Sequence, residues 1–351
     1  MFLAGLQTAV PSQRFTQRDC WEALQRADRP ELNVRVRSIL EGILTHDNGI
    51  ATRALALDSL DESFDLDPDT LHRRFATHAP RLASEAGRKA LAEAGIQARA
   101  IDAVVVSTCT GYLCPGLTSY VIESLGLRSD VVALDLVGQG CAAAIPNLRT
   151  AEAFIAGRRA DRVLSICVEV CSAAFYLDND LGVLVSACLF GDGAAAAVLS
   201  REPRADARRV EFAAGGSMTN PAERDALRFE QRGGMLRNIL TLPVPKLAAR
   251  SARKLFEEVS ARESIPREAV NGWILHGGGR KVIEELQSHL SLGDADLAWS
   301  RAMLREHGNI SSPFVLFVLR AALDGKAPGG WWWMSSFGAG FSCHGTLLKV
   351  A

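Results

Sequence analysis

One pattern occurs twice in this chain, and it limits the fold more than any other feature. An apolar, β-branched run meets a glycine turn and then a helical pattern in IDAVVVSTCTG before LTSYVIESLGL, and again in NGWILHGGG before RKVIEELQSHL. Continuous apolar runs of this kind read as strands buried on both faces. Next in order come QGCAAAIPNLRTAEAFIAG and HGNISSPFVLFVLRAALDG, each a glycine turn, a small polar residue and a helix. LFGDGAAAAVLS (189–200) and SSFGAGFSCHGTLLKV (335–350) pair in the same way, each a glycine turn leading into a strand-like run. Cys141 follows Cys109 by 32 residues and Asn309 follows His276 by 33. Self-similarity on this scale is the mark of a duplicated α/β unit.

The clearest break in composition, 201–235, is rich in Arg, Glu and Gly and separates an expected N-terminal half, 1–205, from a C-terminal half, 206–351. Two copies of one unit packed back to back bring equivalent loops together at the centre. One site assembled by both halves follows. Leu82, Ala86, Ala90 and Leu91, at helical spacing within Leu71 to Gly95, predict a long amphipathic helix ahead of the first buried strand.

Composition excludes several function classes. With 39 basic residues against 40 acidic ones, no global field draws the chain to nucleic acid or to an anionic membrane. No apolar run reaches the roughly 18 residues of a membrane span, and the start lacks the charged and apolar regions of a signal peptide, so a cytoplasmic protein is expected. The eight cysteines lie mostly in apolar stretches such as VLSICVEVC and read as small buried hydrophobes, not as a disulfide framework. Cys109 with Cys114, and Cys167 with Cys171, have the look of metal pairs, but the second lies in or at the end of a buried strand, so no metal is expected.

Cys141 raises a chemical question, because a thiol at a helix start faces unpaired backbone N–H groups and the positive end of the helix dipole, which favour thiolate. Pro146 fits only near a first turn, so the helix begins at about Cys141 or kinks there. Alone, Cys141 reads as a buried cysteine beside a glycine turn, His276 as a structural residue at a strand end, and Asn309 as a helix N-cap. Their placement in corresponding loops of the repeat makes them a set.

The motifs QGCAAA, LFGDGAAA, HGGG, GNISS and SFGAG, in this order and spacing, resemble those of the type III polyketide synthases, the chalcone synthase-like branch of the thiolase superfamily. The resemblance runs over nearly the whole chain and is weakest before about Ala51 and between 201 and 235. It implies an α/β, thiolase-like fold in which duplicated βαβαβ halves form an α-β-α-β-α layering. It also implies a catalytic triad of Cys141, His276 and Asn309, a gatekeeping Phe190, and a homodimer. The implied reaction loads an acyl-CoA starter on Cys141, decarboxylates malonyl-CoA to an enolate held by His276 and Asn309, and repeats the condensation. Both CoA thioesters are substrates, and no further cofactor is implied.

The same resemblance assigns Cys109, Cys114, Cys171, Ala174, Gly278, Gly279, Arg280, Ser311, Phe337 and Gly338 to the substrate site. Arg280 is the candidate for the CoA phosphates, with Arg35 and Arg37 in the N-terminal region where the family places further CoA contacts. Cys114 stands where a methionine crosses the dimer interface in plant relatives. SFGAG and TCTGYLCPG resemble the bacterial synthases that make alkylresorcinols and alkylpyrones. Cys109, Cys171 and Ala174, where plant enzymes carry threonines, leave less polar walls suited to a fatty acyl starter. Three rivals remain open: an initiating ketoacyl-acyl carrier protein synthase, whose HQAN contrasts with HGGG here; a papain-like cysteine hydrolase, which sets its cysteine in a CGSCW-like context; and a non-catalytic binding protein of the same fold. WWWM (331–334) reads as a core strand.

Overall fold

The computed structural model describes residues 1–351. The N-terminal half runs β1 (Phe2–Ala9), β2 (Arg14–Thr16), α1 (Gln17–Arg26), α2 (Val34–Thr45), β3 (Thr52–Ala54), α3 (Pro68–Ala94), β4 (Ala103–Ser107), α4 (Leu117–Leu125), β5 (Val132–Leu136), α5 (Ala144–Ala156), β6 (Arg162–Glu169), α6 (Leu181–Leu189) and β7 (Gly193–Ser200). The C-terminal half follows as β8 (Val210–Thr219), β9 (Leu227–Arg232), β10 (Met235–Leu240), α7 (Val244–Glu263), β11 (Val270–Leu275), α8 (Arg280–Leu290), α9 (Ala298–His307), α10 (Phe314–Asp324), β12 (Gly330–Gly338) and β13 (Ser342–Val350).

The duplication is explicit in the strand order, β11-β12-β13-β8-β1-β7-β6-β4-β5. In one half β1 pairs antiparallel with β7, β7 antiparallel with β6, and β6 parallel with β4. In the other, β8, β13, β12 and β11 repeat that sequence of pairings. The halves meet edge to edge only at Phe2 and Glu211. One part of the expectation fails: β5 has no counterpart in the second half, where Asn309 makes a single isolated bridge to Phe190. The stretch at 300–304, which stands to Asn309 as β5 stands to Cys141, lies in helix α9, so it adds no strand to the sheet.

Five layers result. Helix α3 covers β1, β7 and β6 on the outside of one half-sheet, and α7 covers β8, β12 and β13 on the other. Between them lie α5 and α10, each touching strands of both halves. Cys141 and Asn309 lie in the segments that lead into these two helices, so the duplication itself brings those loops together. Helix α3 buries Leu82, Ala86, Ala90 and Leu91 and ends on Gly95 in the left-handed conformation, as its pattern predicts. Trp332 and Trp333 are fully buried in β12. All eight cysteines are free, five of them buried. No helix is long and apolar enough to cross a membrane.

Candidate active site

Cys141 sits in a single 3-10 turn, Gly140–Ala142, immediately before α5, and Pro146 falls in the first turn of that helix. The turn interlocks with the SFGAG loop of the other half, backbone against backbone. A Cβ on Gly338 would lie 2.5 Å from the Ala142 nitrogen, and one on Gly140 would lie 2.9 Å from the Ala339 nitrogen. Only glycine permits that approach. Ser336 Oγ donates to the Ala142 carbonyl at 3.1 Å. Asn147, fully buried in α5, ties the helix to the sheet: its Nδ2 donates to the Ile166 carbonyl (2.9 Å) and Ser107 Oγ (3.2 Å), and its Oδ1 accepts from Ser165 Oγ (2.8 Å).

The C-terminal half supplies the rest. His276 follows the last residue of β11, its ring edge-on to Phe337 (5.0 Å between centroids) and Phe314 (5.3 Å). Asn309 is not the N-cap expected of it, because α10 begins only at Phe314; instead its Oδ1 accepts the Ser311 N–H at 2.9 Å. Its Nδ2 donates to the Gly278 carbonyl at 3.1 Å. Its backbone exchanges hydrogen bonds with Leu189 and Gly191, which seats Phe190 beside it. The position a Cβ would take on Gly278 lies 3.4 Å from His276 Nε2 and 3.6 Å from Asn309 Nδ2, so both nitrogens face one small volume. Gly279 leaves the same turn toward Leu189.

Ser311 connects the two halves. Its hydroxyl donates to Cys141 Sγ at 3.2 Å and lies 3.5 Å from Cys109 Sγ. It holds φ of 55°, a left-handed backbone uncommon for a residue with a side chain. The expected direct pairing of Cys141 with His276 is absent: no hydrogen bond joins them, and the sulfur's side-chain partner is Ser311. The expected thiolate is also displaced. Burial pushes the Cys141 thiol up to about 12, opposed by the Ser311 hydroxyl and by the cysteine's own backbone. Burial likewise pushes His276 down to about 3. Burial therefore favours a neutral thiol and a neutral imidazole, since desolvation outweighs what the helix start contributes. His276 Nδ1 has no partner, so no protein group locks the tautomer.

Glu169 was not singled out in the sequence, although a lone carboxylate in an apolar strand is a visible signal. Fully buried, it accepts from the Cys109 N–H (3.0 Å), Cys109 Sγ (3.3 Å), Thr110 Oγ1 (2.9 Å) and Ser312 Oγ. Burial raises its pKa, and these hydrogen bonds pull it back. In the FGDG motif, Asp192 is likewise anchored, by the Ser172 N–H (2.8 Å) and Oγ and by the Ala56 N–H. Arg53 donates to the Phe190 carbonyl at 2.8 Å.

Two clefts flank this centre, one between Cys141, Phe229, Asn238 and Ala339, the other between Cys171, Ala174, Phe175 and Phe190. A larger cavity of about 520 Å³ reaches Cys109 from Phe75 and Tyr112. The β9–β10 hairpin closes the site through Phe229 and Asn238, neither of which sequence reasoning picked out, because the segment there is polar and weakly patterned. Cys114 is exposed and lines none of these spaces in its own chain, the loop turning outward past Gly111, which packs on the Phe75 ring. The Arg37 guanidinium is tied to the Leu32 and Arg29 carbonyls. Arg280 stands at the surface, donating to the Asp47 carbonyl at 2.6 Å, and Arg35 is exposed.

Residues 1–203 match the sequence profile for the N-terminal domain of chalcone and stilbene synthases, and 233–351 that for their C-terminal domain. A 1,3,6,8-tetrahydroxynaphthalene synthase of Streptomyces peucetius subsp. caesius is 30% identical over 99% of this chain and 92% of its own length. A 3,5-dihydroxyphenylacetyl-CoA synthase of Streptomyces toyocaensis is 26% identical over 99% and 89%. Among solved structures, PKS-I from the brown alga Ectocarpus siliculosus superposes with a TM-score of 0.91 at 27% identity, covering 99% of this chain and 98% of its own. Tetrahydroxynaphthalene synthase from Streptomyces coelicolor A3(2), a bacterial type III polyketide synthase, gives 0.89 at 25% identity, covering 100% and 99%. With both domain profiles matched in order along one chain, this protein belongs to the chalcone and stilbene synthase family and is a type III polyketide synthase.

Proposed function

We propose that Cys141 carries the growing chain, that His276 and Asn309 hold the enolate formed from malonyl-CoA, and that the starter is a long-chain fatty acyl-CoA whose product closes to an alkylresorcinol or alkylpyrone. The observation that carries the reading is the shared facing of His276 Nε2 and Asn309 Nδ2 above Gly278, linked through Ser311 to the Cys141 sulfur.

From a neutral thiol and a neutral imidazole, a free ion pair is unfavourable in a buried site. The proton therefore leaves Sγ for His276 Nε2 as the sulfur attacks the thioester carbonyl; CoA departs as its thiolate, to be protonated by bulk solvent, and His276 keeps the Nε2 proton until the Cys141 thiolate released by condensation takes it back. Malonyl-CoA then loses carbon dioxide, and the enolate oxygen is met by two N–H donors already oriented toward it. Phe190 gives the departing carboxylate an apolar neighbour. The carbanion attacks the acyl-Cys141 carbonyl, the product moves to CoA, and the sulfur is free for another round. Arg280 is assigned to the CoA phosphates, and no cofactor is assigned.

The fatty starter is supported by the lining. Cys141, Cys171, Phe175 and Phe190 belong to one apolar cluster with Leu55, Leu57 and Leu60. Beyond Phe175 a further apolar cavity of about 60 Å³ opens between Leu24, Leu40, Leu44 and Phe64. A second reading, priming by malonyl-CoA alone, is favoured by the polar groups His72, Thr108, Thr110, Arg228 and Gln231 around the larger cavity. A homodimer is supported by β5, the open end of the sheet, which leaves Val132, Leu134, Val137 and Tyr112 exposed.

Incubation with malonyl-CoA and acyl-CoAs of graded length, products identified by mass spectrometry, tests the reading. Incorporation of long chains is expected, with none after Cys141→Ala. Products made from malonyl-CoA alone, with no acyl chain incorporated, decide for the second reading. Unchanged output from Cys141→Ala refutes the nucleophile.

A further inference from the structure

One side chain in the wall next to Cys141 is polar without a partner. Asn238, in β10, is 5% exposed, and its Oδ1 has neither a hydrogen bond nor access to the surface. The fold uses only its backbone: it pairs with Phe229 across the hairpin, and its carbonyl accepts from Ser186 Oγ at 3.4 Å. Its side chain belongs to both clefts, the one at Cys141 and the one leading past Cys171 and Ala174 to Phe175. An enclosed amide oxygen without a partner is destabilising, and most such groups in folded proteins are paired. An apolar residue would suit the neighbouring phenylalanines and cysteines better. The amide therefore answers to something that enters the site.

An aliphatic tail offers it nothing. The part of the substrate adjoining the thioester is different, because each condensation adds a ketone, and a 1,3-diketone readily enolises to present one O–H donor and one carbonyl acceptor. A carboxamide matches both, its Oδ1 accepting from the enol and its N–H groups donating to the ketone. We propose that Asn238 is a specificity-determining residue that holds the β-keto oxygens of the elongating chain beside Cys141, while the starter's tail extends past Phe175. The proposal rests on the synthase mechanism above and deepens it: Asn238 acts on the oxygenated chain after loading, not on the starter or on CoA.

The test compares wild type with Asn238→Leu and Asn238→Ser, both checked for unchanged thermal melts, using hexadecanoyl-CoA or malonyl-CoA alone, whichever wild type turns over. Acylation of Cys141 is followed by intact-protein mass, and products by mass spectrometry. Loading within twofold of wild type is expected, with early-released, short-extension products enriched at least fivefold over the full-length product. If loading and the product distribution both stay at wild-type values, the assignment of Asn238 is overturned. It is equally overturned if loading falls in step with product formation, since the residue would then only shape the site. A wild-type protein that makes product without acylating Cys141 brings down the underlying mechanism instead. Should the leucine variant not fold, the serine variant, which removes the amide with less added bulk, decides by the same readouts.

Discussion

Ser311 is the residue through which the two halves of the molecule act on one sulfur. Its hydroxyl is the only side-chain hydrogen bond to Cys141, and its left-handed backbone is held by Asn309. A hydrogen bond to a charged group is worth about 1.5–3 kcal/mol. Ser311→Ala is therefore expected to destabilise the developing thiolate and slow iodoacetamide alkylation of Cys141 at pH 8 by roughly ten- to a hundredfold, measured by intact mass over time. A rate equal to wild type would remove Ser311 from this role. The cysteine, histidine and asparagine were legible from the repeat. That a serine stands between them was not, because a hydroxyl's partner depends on a backbone angle no local pattern announces.

Two elements hold Cys141 in place. Helix α5 is pinned to β4 and β6 by Asn147, whose amide satisfies groups on both strands in a fully buried setting. Asn147→Ala leaves those groups unpaired and should lower stability by about 2–4 kcal/mol, read from urea unfolding midpoints. The SFGAG loop is pressed on the cysteine turn, where a methyl on Gly338 would meet backbone atoms of Gln139 and Ala142 at 2.6 and 2.5 Å. Gly338→Ala is expected to displace the turn and cut polyketide output by at least about a hundredfold, in line with the sensitivity of reacting geometry to ångström shifts. The melting temperature should change far less than activity. Strands and helices of both halves could be read from periodicity. The β9–β10 hairpin, which closes the site, could not, because its faces are decided by what they pack against.

At the scale of the whole molecule, the duplicated sheet leaves β5 as an open edge carrying exposed Val132 and Leu134, beside Tyr112 and the exposed Cys114. An apolar edge of this kind is a template for a second copy. Val132→Lys with Leu134→Lys is expected to shift the protein from dimer to monomer in sedimentation at micromolar concentration, with circular dichroism unchanged. A wild-type protein that sediments as a monomer would remove the interface altogether. The surface position of Cys114 then follows from the molecule's arrangement and not from its own chain's cavity.

The amino-acid order by itself determined the duplication, the buried strands, the loops that carry Cys141, His276 and Asn309, and the family, because these are set by periodicity, glycine turns and spacing along the chain. Tertiary structure alone decided that the sulfur rests against Ser311, that burial favours neutral thiol and imidazole, that Asn309 bridges to Phe190, and that Asn238 lies unpaired beside the site. The reason is physical. Protonation and hydrogen-bond partners depend on desolvation and on approach across the interface between halves, and neither is a property of a residue's neighbours in sequence.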